Sequence, residues 1–110
     1  MTQPLRRSMR LIELSSRAAE VAALVKTLAN RNRLMVVCTL VEWEYSVGQI
    51  EDELGIHQPT LSQQLTVLRE AGIVETRREA KQIFYRLTEQ KVAHLVAALH
   101  AIFCAEDPAP

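Results

Sequence analysis

A mainly α-helical domain carrying one small β-hairpin is the fold class this sequence predicts, on three observations. Apolar residues recur at helical spacing over most of the 110 residues. Cap and turn signals break that pattern into short helices. Between Val74 and Leu87 the composition changes to β-branched and aromatic residues.

Residues 1–14 read as a flexible basic arm, 15–105 as one folded domain, and 106–110, with Pro108 and Pro110, as a flexible tail. A helical pattern begins at Ser16, with Val21, Leu24, Val25 and Leu28 on one stripe. Asn30 can cap a second helix running to about Glu44, apolar almost all round and therefore central. Ser46 followed by Gln49 reads as a capping box that opens a short helix through Leu54, closed by Gly55. Ile56 and His57 make a tight turn. Pro59 sits at the first positions of the next helix, which runs to about Ala71 and stops at Gly72, with Leu61, Leu65 and Leu68 inward. Val74 to Arg78 and Lys81 to Leu87 form the hairpin, turning at Glu79 and Ala80. Thr88 can cap a last helix with Val92, Leu95, Val96, Leu99 and Phe103 on one face.

The formal net charge is zero, but its distribution is uneven. Residues 1–37 hold seven Arg or Lys against two Glu; residues 38–57 hold five acids and no Arg or Lys; residues 58–87 hold five bases against three acids. A polyanion needs a positive face, not a positive molecule. Apolar runs such as Leu34 to Cys38 are too short for a signal-peptide core or a membrane span. A cytoplasmic location without membrane contact is expected. In that reducing compartment the two cysteines are not a disulfide framework; they are inert core thiols or chemically active ones.

Two short helices joined by a glycine turn and followed by a basic hairpin make a winged helix-turn-helix, the arrangement that reads a DNA major groove. On the second helix of the pair, Thr60, Gln63, Gln64 and Val67 share the face away from the leucines. Gln can bond an adenine edge through both ends of its amide, and Thr can bond a base or touch a thymine methyl. Ser62 and Arg69 suit phosphates, and Gln58 opens the helix. Arg77, Arg78, Lys81 and Gln82 cluster toward the hairpin tip, where a wing meets backbone or minor groove.

The run QPTLSQQLTVLREAGIVETRREAKQIFYRLT, Gln58 to Thr88, resembles the ArsR/SmtB family of winged-helix repressors, and LANRNRLMVVCTL resembles that family's second helix. The resemblance spans roughly residues 18–104. It implies a homodimer through the first and last helices that binds operator DNA and lets go when an inducer is sensed. His57 stands where the family often has a capping serine, and Ala80 where many members have a wing-tip glycine.

Many members sense metals, but the positions of one Cys-x-Cys site are here Ser46 and Gly48, which cannot bind thiophilic metals. Those of the last-helix site are Glu89, Lys91, Ile102 and Ala105. His94 and His100, six apart, point away from each other and read as surface residues. No metal or cofactor is expected. The segment from Leu34 to Leu65, with a late AIFC, resembles the BigR/SqrR/YgaV-type subgroup, which senses hydrogen sulfide-derived persulfides with a cysteine pair. That resemblance implies a redox-sensing role for Cys38 and Cys104 and makes reactive sulfur species or oxidants the inducer. A regulator without a thiol switch, constitutive or an anti-repressor like HlyU, is the alternative, ahead of a metal sensor. Neither cysteine lies in a Cys-x-x-Cys motif or beside an activating base, so an enzyme is not expected.

Overall fold

The computed structural model describes residues 11–104. Over these residues the elements run α1 (Leu11–Leu28), α2 (Arg31–Thr39), β1 (Tyr45–Ser46), α3 (Val47–Leu54), α4 (Gln58–Glu70), β2 (Val74–Glu79), β3 (Gln82–Leu87) and α5 (Gln90–Cys104). The expected tail and most of the expected arm lie outside the described residues. The part of the arm that is described, from Leu11, is helix, so α1 starts five residues before Ser16.

Local hydrogen bonds set most of the boundaries. The Asn30 side chain accepts from the Arg33 backbone N–H at 3.1 Å and opens α2. Both halves of the Ser46–Gln49 capping box form: the Gln49 N–H donates to Ser46 Oγ at 3.2 Å, and the Ser46 N–H to Gln49 Oε1 at 2.8 Å. Gly55 takes φ +69° and closes α3. At the end of α4, Gly72 takes φ +75°, its N–H bonds the Arg69 carbonyl, and the Ile73 N–H bonds the Leu68 carbonyl. That is a full Schellman motif, with buried Ile73 and Leu68 as its apolar pair.

Three further features differ from the sequence-based expectation, and the hairpin turns at Ala80 and Lys81 rather than at Glu79 and Ala80. Helix α2 ends at Thr39, not Glu44: the Leu40 N–H is shared between the Val36 and Val37 carbonyls, and the chain turns out of the helix. Beyond it Trp43 is 72% exposed, so the apolar pattern has run out. Tyr45–Ser46 then pairs with β3, Tyr45 opposite Tyr85 and Ser46 opposite Phe84, adding an unforeseen third strand in the order β1-β3-β2. Thr88 does not act as the expected cap. Its hydroxyl donates to the Gly72 carbonyl at 2.7 Å, and α5 begins two residues later.

The core is built from Val36 and Val37 of α2, Ile50 of α3, Leu61, Leu65 and Leu68 of α4, Val74 of β2, and Val92 and Val96 of α5, with Leu28 closing one end. The Val36–Val37 pair thus belongs to a helix, its strand propensity overridden by burial. The stripes of α1 and α5 are only partly covered. Leu28 is buried, but Val21 is 40% and Val25 51% exposed; Val92 and Val96 are buried, but Ile102 is 69% and Phe103 79% exposed. Lys91 Nζ to Glu20 Oε2, at 2.7 Å, links the two helices.

Candidate nucleic-acid interface

Helix α4 is seated by its leucines and presents its polar side outward. Leu61 and Leu68 are completely buried and Leu65 is 2% exposed, while Thr60, Ser62, Gln63, Thr66, Val67 and Arg69 are exposed. Position His57 offers no side-chain cap, in keeping with the missing serine. Gln58 does not cap either; its amide lies 3.5 Å from Glu51 Oε1 on α3. Gln64 stands apart from the other polar residues. It is half-buried, and its Oε1 accepts from Arg33 Nη1 at 2.9 Å. A groove of about 490 Å³ runs along this face between Arg33, Ser62, Gln63, Gln64, Thr66 and Val67.

The wing does not keep its four polar residues together. Strands alternate faces, and the register sets Arg77 opposite Phe84, Arg78 opposite Ile83 and Glu79 opposite Gln82. Arg77 and Gln82 therefore share one face and Arg78 the other. The Arg77 guanidinium lies 4.7 Å above the Phe84 ring, donates to both oxygens of Glu44 (Nη2 to Oε2 at 2.6 Å) and reaches Glu79 at 2.7 Å. Arg77 holds the Glu44 carboxyl below the ordinary carboxylate range, chiefly through these bonds. Arg78 and Lys81 are exposed and have no ion-pair partner among the described residues. At the tip Ala80 adopts φ +57°, the left-handed conformation a glycine would take freely, which disfavours an alanine by about 1–2 kcal/mol.

The acidic clamp on Arg77 has a measurable consequence. Substituting Glu44→Gln removes the charge that clamps the guanidinium of Arg77, leaving the Glu79 contact, and, if the wing meets DNA, makes Arg77 more available to phosphate. Affinity for duplexes of any sequence should rise a few-fold, with a salt slope steeper by about one phosphate contact. Anisotropy titrations on an arbitrary duplex at several salt concentrations measure both; an unchanged slope places Arg77 away from the DNA.

The two cysteines are both free thiols. Cys38 is half-buried on α2 and packs on the core; Cys104 is exposed at the last residue of α5. Burial pushes the Cys38 thiol up, and the charge of the nearby Cys104 adds to the same effect. His57, His94 and His100 are exposed. Among the described residues no group of three or more His, Cys, Asp or Glu is arranged to hold a metal ion, and no helix is long and apolar enough to cross a membrane.

A helix-turn-helix seated on a leucine stripe, followed by an antiparallel hairpin and framed by two outer helices, defines a winged helix-turn-helix protein. Residues 30–76 match the model of the bacterial regulatory protein family arsR. The chain is 66% identical over 95 residues to the biofilm growth-associated repressor of Xylella fastidiosa, covering 86% of this chain and 83% of that one. The crystal structure of the transcriptional repressor BigR from the same species superposes with a TM-score of 0.82 at 67% identity, covering 86% of this chain and 96% of that chain. The transcriptional activator HlyU of Vibrio cholerae is 38% identical over 96 residues, 87% of this chain and 89% of HlyU. A homodimeric winged helix-turn-helix domain from Mycobacterium bovis superposes with a TM-score of 0.69 at 32% identity, covering 81% of this chain and 82% of that one. The chain belongs to the ArsR family of bacterial transcriptional regulators.

Proposed function

We propose that this chain is a homodimeric, cytoplasmic transcriptional repressor that binds operator DNA through α4 and the wing and releases it when Cys38 and Cys104 are bridged by reactive sulfur species or another oxidant. The polar outer face of α4, held rigidly by three buried leucines, is the single observation that carries DNA reading. Repression is supported by the identity to repressors over most of the chain. Dimerisation through α1 and α5 accounts for the exposure of Val21, Val25, Ile102 and Phe103, and a relative of the same fold is a homodimer. In a dimer the two copies of α4 would meet half-sites about one helical turn apart.

Thr60 and Gln63 are assigned to base edges, with Gln64 beside them; Gln58, Ser62 and Arg69 to the phosphates flanking the helix; Arg78, Lys81 and Gln82 to the backbone under the wing, with Arg77 available once it leaves Glu44. Removing both glutamines, Gln63→Ala with Gln64→Ala, should relax base preference at a cost of about 1–3 kcal/mol per lost base contact. Arg78→Ala should weaken binding to all sequences alike and flatten the salt dependence. Selection from a randomised duplex pool, followed by anisotropy on the selected site and a scrambled one, separates the two effects. Normal site preference in the double glutamine variant overturns the assignment of α4.

A second version of the function is a regulator that needs no thiol switch; the identity to the transcriptional activator HlyU supports a role other than repression. Operator affinity unchanged by persulfide, disulfide and peroxide favours that version. A change accompanied by loss of both free thiols, seen in the intact mass, favours the switch.

A further inference from the structure

Arg33 ties the end of α1 to the DNA-facing helix through one side chain. Its Nε donates to the Thr27 carbonyl at 2.6 Å and its Nη1 to Gln64 Oε1 at 2.9 Å, both bonds partly buried. We propose that Arg33 is a positioning residue for base reading: it holds the carbonyl end of Gln64 and leaves only the amide N–H₂ to face DNA. The proposal rests on α4 as the reading helix.

Guanidinium groups carry donors and no acceptor, so Arg33 fixes which end of the Gln64 amide points toward it. Arg33 is itself anchored. Thr27 lies in the last turn of α1, where carbonyls lack helical partners and the helix dipole is negative, a favourable seat for a cation. The opposite holds at Arg33's own position in the first turn of α2, whose positive dipole end disfavours it. The side chain is therefore drawn away from its own helix toward α1 and α4. Its backbone N–H is also fixed, by Asn30.

A free glutamine selects adenine because its oxygen accepts from N6–H while its nitrogen donates to N7. With the oxygen aimed at Arg33, the end of the amide that Gln64 turns toward DNA is the N–H₂, a donor only. Guanine offers two acceptors in the major groove, N7 and O6; thymine offers O4 and adenine N7; cytosine offers a donor alone. Gln64 should therefore choose acceptor edges, guanine first, and reject cytosine. Gln63 is exposed, has no hydrogen-bond partner among the described residues, and keeps both ends for adenine.

The test is selection from a randomised duplex pool with the full chain, comparing wild type, Arg33→Met, Gln64→Ala and the double variant, each checked by thermal melting. Wild type should favour guanine at the base under Gln64. Arg33→Met, freeing the oxygen, should move that one position toward adenine by about fivefold or more. Gln64→Ala should lose preference there, and the double variant should match it. Gln64→Glu, which keeps the Arg33 pair and removes the donor, should turn the position toward cytosine and so tests the idea even where Arg33→Met is unstable. Two results overturn the proposal. One is wild-type preference in Arg33→Met while Gln64→Ala loses it. The other is a uniform loss of affinity in Arg33→Met with a smaller salt slope, the mark of a phosphate contact. Failure of α4 itself looks different: no variant at Gln63 or Gln64 then changes any base preference.

Discussion

Leu65→Ala should destabilise the domain by about 2–5 kcal/mol, whereas Val67→Ala, two residues along the same helix, should change stability by less than about 0.5 kcal/mol. Leu65 is 2% exposed and sits between Leu61 and Leu68 in the middle of the α4 stripe; Val67 is 38% exposed on the outer face proposed to read DNA. Truncating Leu65 removes its own transfer energy and leaves a cavity in the core it shares with Val36, Val37 and Ile50. Domains of this size are stable by only about 5–15 kcal/mol in all, so the loss is a large share of the total. Urea titration at one fixed protein concentration is the measurement, because dimer formation makes the midpoint concentration-dependent. The DNA consequences should invert. Val67→Ala keeps the fold and alters contact with the groove, while Leu65→Ala loosens the whole helix and weakens binding to every sequence. A Leu65→Ala loss below about 1 kcal/mol would mean that α4 is not held by its leucines.

What could be read from sequence was what short-range hydrogen bonds decide. Asn30, the Ser46–Gln49 box, Gly55 and Gly72 all act within three to five residues, and each stands where its local chemistry requires. The strand at Tyr45 could not be read that way, because it depends on pairing with Tyr85 and Phe84, about forty positions later. The same holds for the site. Gln64 and Arg77 carry the right chemistry for DNA, but their present partners, Arg33 and Glu44, come from 31 and 33 positions away and leave no trace in local spacing. Periodicity found the apolar faces of α1 and α5 without telling which residues the chain covers itself. Leu28 and Val96 are covered; Val25 and Phe103 are not. The cysteines were ambiguous from spacing alone, and only family resemblance set them together.

Persulfide treatment should link Cys38 to Cys104 within one chain and lower operator affinity by about tenfold or more, roughly 1.4 kcal/mol, which is within the usual range of coupling between sites. Cys104 is the exposed thiol and should react first: its thiolate would attack the outer sulfur of a low-molecular-weight persulfide, keep that sulfur and release the parent thiol. The Cys38 thiolate then attacks Cys104 Sγ, the disulfide forms, and the added sulfur leaves as hydrosulfide. Two protein thiols are oxidised and one sulfane sulfur is reduced. Burial holds the Cys38 thiol above its ordinary value, so at neutral pH the thiolate is scarce and the second step is slow. The bridging rate should climb as pH rises through the alkaline range, while formation of the Cys104 adduct runs ahead of it. The link closes a loop of more than sixty residues, whose entropy, about 4 kcal/mol, acts on the unfolded chain; it is the covalent tether itself that would hold α2 and the end of α5 in a new relation. Cys38→Ser and Cys104→Ser should each bind operator when reduced and each fail to release it when treated. The Cys38→Ser protein should retain an added sulfur on Cys104 by intact mass, and the Cys104→Ser protein should gain little. Operator anisotropy before and after treatment, read beside the mass, decides the matter. Release of DNA by either single variant would show that one cysteine suffices and that the bridge is not the switch.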